Sequence, residues 1–396
     1  MIPEYRARFN SEFSQEKYTA LKNKIAEEAG SPPDFRLSES PIFLPESFEQ
    51  KLTSACDSII DQILKIPASE LEQAIPANCR VPGKSEKPHF LTIDFAICTN
   101  EQDQPEPQLI ELQAFPSIYA FQKVLEQIYG EVYPFLAPLK GNLQKKDYFE
   151  KLRNVIVGKE NAENVILLEI FPEEQKTRVD FQLTEKYLGI KTVCLTKIQK
   201  EGRQLFYEDR GRKIPIHRIY NRVIFDELDS IPGLQTNFDV RDEADVTWVT
   251  HPNWFFMVSK FILPKLEHRY VPKSYFLKDF PETEDPENFV LKPLFSFAGS
   301  GVILHPAKEQ LEAIENKEDY ILQRKVQYAP LFKDINGEYS KAEIRLLYLW
   351  DENEERPQLM ENVVRMTKAE MANVDFNKKD AIWIGGSVGF FLNKIK

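Results

Sequence analysis

Two stretches near the N-terminus, EKYTALKNKIAEEAG and SFEQKLTSACDSIIDQILKI, repeat apolar residues at three-and-four spacing and predict amphipathic helices. The run SPPDFRLSESPIFLP breaks them apart. From residue 88 the pattern becomes that of strands: PHFLTIDFAICT, a polar Pro/Gln/Glu loop, then PQLIELQAFPS, a strand pair joined by a loop. SIYAFQKVLEQIYGEVYPFL reads as helix and leads into the charged break GNLQKKDYFEK. Residues 164–196 have a βαβ pattern: the apolar strand NVILLEI, the amphipathic helix EEQKTRVDFQLTEKYLG ended by Gly189, and the strand IKTVCLT. A small open parallel sheet is the expected result. After a turn-rich hairpin around Gly202 and Gly211, IPIHRIYNRVIF and ADVTWVTHP are strand-like. The last third opens on the helical stretch WFFMVSKFILPKLE. It continues with NFVLKPL, GVILH, YILQRKV, EIRLLYLW, ENVVRM and AIWIGGSVGFFL as strands and a helix around KEQLEAIEN.

This order predicts an α+β chain whose middle third is α/β, and 396 residues at ~150 per unit suggest two to three structural units. The 42% hydrophobic and 29% charged fractions suit a globular protein with its own core. A formal net charge of −11 argues against a sequence-independent nucleic-acid binder, which needs Lys and Arg to neutralise phosphates. Cys56, Cys79, Cys98 and Cys194 show no CxxC spacing and no dense disulfide framework, which fits a reducing compartment. MIPEYRARFNSEF lacks the basic-then-apolar pattern of a signal peptide, and no run reaches the ~18 apolar residues of a membrane span. The expectation is a cytoplasmic protein without nucleic-acid or membrane partners.

Four groups could carry chemistry. In NFVLKPLFSFAGSGVIL a strand presents Lys292 and runs into Ser296, Gly299, Ser300 and Gly301, where small residues let backbone amides approach an anion. This is either a phosphate cradle or the turn of a hairpin; it is neither a Walker loop nor a dinucleotide fingerprint. In LIELQ, Glu111 and Gln113 stand two apart and share a strand face, and the partner strand IDFAI can bring Asp94 opposite. Such oxygens suit Mg²⁺, and the same alternation also describes the wet side of any sheet. Arg345 and Arg365 could stabilise a transferring phosphoryl group or form surface ion pairs with nearby Glu residues. Lys260, in HPNWFFMVSK, is by itself an ordinary solvated lysine. His89, His217, His251, His268 and His305 lie too far apart for a zinc pattern, and no GxSxG is present.

Taken in order, these segments resemble the ATP-grasp superfamily, specifically its circularly permuted branch that includes the synthetase domain of glutathionylspermidine synthase. The usual arrangement closes on an Asp and a Glu-x-Asn pair; here the chain ends at Lys396 without one, and TIDFAI and LIELQAFPS stand upstream instead. The resemblance implies ATP-grasp lobes with a small Rossmann-like preceding domain and an N-terminal helical segment. The divisions are a helical cap over 1–85, the permuted metal-binding part over 86–160, the Rossmann-like domain over 161–250 and the ATP-grasp lobes over 251–396. It further implies Mg²⁺ on Asp94, Glu111 and Gln113, and ATP on Lys260, Lys292 and the loop Ser296 to Gly301. Gln323, Lys325 and Val326 would form the adenine hinge, and Arg345 and Arg365 would neutralise the γ-phosphate and an acyl phosphate. The implied activity is ATP- and Mg-dependent joining of a small-molecule or peptide carboxylate to an amine. Gln113 replaces the family's Asn, and Thr92 stands where the family has Arg two residues before the metal Asp. A kinase that stops at phosphoryl transfer and a non-catalytic nucleotide-binding module are the alternatives.

Overall fold

The computed structural model describes residues 2–83, 85–139, 143–295, 301–370 and 380–392. The first helices are Pro3–Glu12, Gln15–Ala29 and Glu46–Ile63. The break between the last two holds a strand, β1 (Ile42–Pro45), which pairs in parallel with the final strand β18 (Gly389–Leu392). The N-terminal region is therefore not only helical. Its apolar face completes the core around the chain's other end, where Trp383 lies edge-on to Phe9 and Phe13.

A six-stranded sheet forms the centre. Its path runs β17 (Gly385–Ser387), β16 (Gln358–Thr367), β15 (Tyr339–Leu349), β2 (Phe90–Thr99) and β3 (Pro105–Gln113), with β14 (Phe332–Lys333) also on β15. The pairings along it are antiparallel. All of β2 but its last residue is buried, so FLTIDFAICT is a strand covered on both faces. That explains its near-continuous apolar character and removes the solvated-face reading for Asp94.

The middle of the chain forms the expected parallel sheet, in the order β10 (Thr247–Val249), β9 (Arg218–Asn221), β4 (Val165–Glu169), β5 (Lys191–Cys194). Helix Arg178–Leu188 connects β4 to β5 and ends at Gly189, whose φ of +74° is a left-handed conformation open to glycine. IPIHRIYNRVIF is divided: β8 (Arg212–Ile216) belongs to an antiparallel hairpin sheet with β6 (Gln199–Glu201) and β7 (Gln204–Asp209), and β9 to the parallel one.

The last third contributes a three-stranded antiparallel sheet ordered β11 (Ser274–Phe276), β13 (Tyr320–Arg324), β12 (Phe289–Pro293). It has its own small core of Leu277, Phe289, Leu291, Leu311 and Leu322, separate from the large cluster that runs through the rest of the chain. WFFMVSKFILPKLE departs from the expected helix. A single turn, Trp254–Met257, gives way at Ser259 to a 3₁₀ segment, Lys260–Lys265, because the Ser259 hydroxyl accepts the Phe261 N–H and Pro264 interrupts α-helical bonding. GVILH is reduced to one bridge between Ile303 and Leu291. All four cysteines are free thiols. Among the described residues no helix is long and apolar enough to cross a membrane.

Candidate functional site

Antiparallel register places one row of charges across the central sheet. Asp94 on β2 is opposite Glu111 on β3 and Arg345 on β15, and one row further along Glu343 on β15 is opposite Arg365 on β16. Directly opposed residues project on the same face. The fully buried Asp94 receives Arg345 Nε on Oδ1 and Arg345 Nη2 on Oδ2, both at 2.7 Å, and Arg365 Nη2 on Oδ2 at 2.7 Å. Arg365 Nε is also paired with Glu343. The surface-ion-pair reading of the two arginines is thereby replaced by a partly buried network.

Glu111 has four cations around it, Lys260, Arg345, Lys292 and Arg365. Arg345 Nη2 approaches its Oε1 at 3.5 Å and Lys260 Nζ its Oε2 at 3.9 Å. Burial alone would raise its pKa, but Lys260, Arg345, Lys292 and Arg365 together hold it below the ordinary carboxylate range. Gln113 lies one step further on the same face of β3, opposite Thr92. Asp94, Glu111 and the Gln113 carboxamide offer Mg²⁺ the kind of oxygen set that one or two carboxylates usually supply beside phosphates. Arg345 and Arg365 already take three of the lone-pair positions on Asp94, so a cation there must share or displace them. Among the described residues no group of three or more His, Cys, Asp or Glu side chains is placed to hold a metal.

A bulge in β3 connects this face to the three-stranded sheet. Asp94 pairs with Glu111 but the next residue, Phe95, pairs with Leu109, leaving Ile110 unmatched. The Ile110 carbonyl accepts a hydrogen bond from Lys292 Nζ at 3.0 Å. Lys292 Nζ also donates to Gln323 Oε1 at 2.6 Å, and Gln323 Nε2 donates to the Leu109 carbonyl at 3.2 Å. The edge of β3 is thus covered by two side chains from β12 and β13. Burial lowers the Lys292 pKa to about 8, against the pull of Glu111.

The structure therefore brings Asp94, Glu111, Gln113, Lys260, Lys292, Arg345 and Arg365 to one region. Gln323 lies beside them, with its carboxamide engaged by Lys292 and Leu109. Lys325 follows β13; its N–H donates to the Asn288 carbonyl at 2.9 Å, its Nζ is 2.6 Å from His305 Nδ1, and the next residue, Val326, is half-buried. Gly301 has φ +71°, and a Cβ there would lie 2.9 Å from Pro293 Cγ. Ser296, Gly299 and Ser300 lie outside the described residues.

Sequence reasoning missed Glu343 and Tyr328. The Tyr328 hydroxyl donates to Glu343 Oε2 at 2.8 Å, and burial pushes the Glu343 carboxyl up while Arg365 pulls it down. The available signal was an acid two residues before Arg345 in an otherwise apolar strand, which puts both on one face.

No family model matches the chain, and no curated protein matches it. Among solved structures it is similar to a glutathione synthetase-like effector from Globodera pallida in its apo form, with a TM-score of 0.62 over 95% of this chain and 96% of that one. At 11% identity the likeness is one of fold alone, a mixed α/β architecture.

Proposed function

We propose that this chain binds ATP with Mg²⁺ against the charged face of the central sheet and uses it to join a carboxylate to an amine. The observation that carries the reading is the set of four cations, Lys260, Lys292, Arg345 and Arg365, gathered around Glu111 from segments far apart in sequence. Such a set neutralises polyanionic phosphate while leaving a carboxylate for a hard cation. The glutathione synthetase-like description of the structural neighbour is in keeping with ligase-type chemistry. The permuted arrangement is supported by β2 and β3, residues 90–113, lying in the same sheet as β15 and β16, residues 339–367.

In the reaction a substrate carboxylate oxygen attacks the γ-phosphorus of ATP, the bond to the bridging oxygen breaks, and ADP leaves. Lys260 and Lys292 hold the phosphates, and Arg345 and Arg365 stabilise the charge that develops on the transferred group. The amine then attacks the acyl phosphate carbon; phosphate leaves, the nitrogen gives up a proton, and an amide remains. Mg²⁺, when bound to Asp94, Glu111 and the Gln113 carboxamide, would neutralise phosphate charge.

A second reading, a nucleotide-binding module without turnover, is favoured by the occupation of both Asp94 oxygens by arginines. Titration calorimetry with ATP and Mg²⁺, followed by ADP release over a panel of acids and amines, decides between them. ADP release that requires both an acid and an amine supports the ligase; release that requires only an acid supports a kinase. Binding without release supports the module, and absence of binding removes all three.

A further inference from the structure

At the carboxyl end of the parallel sheet, immediately after β9, Arg222 is buried to 6% exposure, and its Nε and Nη1 find no hydrogen-bond partner among the described residues. Its guanidinium lies 4.9 Å from the ring centre of Phe115 and 5.7 Å from that of Phe181. Its backbone is fixed, the N–H donating to the Leu168 carbonyl at 2.9 Å. The rings recover part of the cation's desolvation. A guanidinium with two buried donors left unpaired still costs stability, a cost that persists where function uses the group.

The acids nearby do not explain it. Glu169 and Asp180 both feel the charge of Arg222, yet neither is hydrogen-bonded to it. Glu169 Oε1 accepts the Ile170 N–H at 2.8 Å, and Asp180 Oδ1 accepts the Phe121 N–H at 2.9 Å, while Asp180 Oδ2 finds no hydrogen-bond partner among the described residues. The other polar neighbours are engaged: the Asn221 carboxamide with the backbone of Val223, and His251 with Pro82 and Asn253. Among these neighbouring groups Arg222 holds unused donors, set in a planar fork whose geometry matches a carboxylate.

Two features of the fold place this group beside the candidate site. Parallel α/β sheets take ligands at the carboxyl ends of their strands, where Arg222 sits. Phe115, whose ring packs on the guanidinium, is two residues beyond Gln113 and with Ala114, Pro116, Asn221, Thr250 and His251 lines a small cleft that Arg222 itself does not line. The wall of that cleft is thus the direct continuation of the strand carrying Glu111.

We propose that Arg222 is the anchor for a carboxylate of the substrate, an amino acid or short peptide, held at the end of β9 beside the phosphate-binding face. The assignment rests on the ligase reading above. Its guanidinium replaces the water that the substrate carboxylate loses, and the desolvation already incurred in the free protein leaves the donors pre-oriented.

The test is thermal unfolding of the full chain with glycine, glycylglycine and glutarate, each set against its neutral amide, in wild type, Arg222→Met and Arg222→Lys. At least one carboxylate is expected to raise the wild-type Tm while its amide does not. Arg222→Met, without ligand, is expected to melt no lower than wild type and to show no shift. Arg222→Lys, which keeps the charge and loses the fork, is expected to need at least tenfold more carboxylate for the same shift. The proposal is overturned if none of the carboxylates shifts the wild type, if the shift survives in Arg222→Met, or if ligand-free Arg222→Met melts several degrees lower, which would make Arg222 a structural counter-ion for Glu169 and Asp180. An ATP titration alongside separates the two claims. Loss of nucleotide binding with a carboxylate shift that depends on Arg222 would remove the ligase reading and leave the anion site.

Discussion

Arg345 grips Asp94 across neighbouring strands with two parallel hydrogen bonds of 2.7 Å, one to each carboxylate oxygen. The pair is the hub of the charged face, because Arg365 shares the same acid and Glu111 stands on its other side. Removing the acid leaves two guanidinium groups short of a partner, one of them with its side chain only 12% exposed. Asp94→Asn is therefore expected to destabilise the protein by on the order of 3 kcal/mol, read by urea unfolding. Arg345→Ala should favour cation binding, since it frees Asp94 Oδ1 and leaves Oδ2 to Arg365 alone: Mn²⁺ titration of the nucleotide-free variant should show tighter binding than wild type. Its ATP turnover is expected to fall by about a hundredfold or more.

Lys292 supplies a pH dependence. Its folded-state pKa of about 8 lies below the ordinary lysine value because burial disfavours the ammonium. The cost of keeping it charged is fully present below pH 8, and stability recovers as pH rises from there towards the unfolded value. Phosphate affinity should run the other way: the ATP dissociation constant is expected to rise above pH 8, as the free protein loses this proton. Calorimetric titration from pH 6.5 to 9.5 would show it, and Lys292→Arg should flatten the rise.

Gly301 tests the glycine loop from its described end. With φ +71° and Pro293 Cγ 2.9 Å from where a Cβ would lie, Gly301→Ala must shift either the loop or Pro293. The expected cost is about 1–2 kcal/mol in stability. ATP affinity should fall while the Arg345–Asp94 pair, on another sheet, is undisturbed. Unchanged affinity would place the phosphates elsewhere.

Glu169 makes stability depend on pH in the opposite sense to Lys292. Burial pushes its carboxyl up to about 8, so the folded state holds its proton more tightly than the unfolded chain. Stability from this group is greatest at low pH and is lost progressively as pH climbs through the window from ordinary carboxylate values to about 8. Glu169→Gln, which keeps an acceptor for the Ile170 N–H, is expected to stabilise the protein above pH 8 by up to about 5 kcal/mol. Below pH 5 it should be nearly neutral. Thermal unfolding of both forms across that range is the measurement.

Local chemistry decided much of this molecule before any tertiary contact formed. Short apolar runs, alternation and β-branching made strands of FLTIDFAICT, LIELQ, EIRLLYLW and ENVVRM, and the two-residue spacing of Glu111 and Gln113 put both on one face. The apolar strand, amphipathic helix and strand of residues 164–196 made a parallel pair, because a helical connection returns a strand in the same direction. These are short-range effects, and a sequence displays them.

Register and burial are long-range, and only the tertiary structure set them. Asp94 met Arg345, 251 residues away, because β2 lies beside β15, so an acid that reads as a wet strand face became a buried hub. The unmatched Ile110 turned a backbone carbonyl towards Lys292, a device that an apolar residue in a strand does not announce. Arg222 is one more basic residue in IYNRVIF until Phe115 and Phe181 close over it and leave its donors unused. What a charged side chain faces depends on elements folded from distant parts of the chain, and that is where this protein's chemistry is decided.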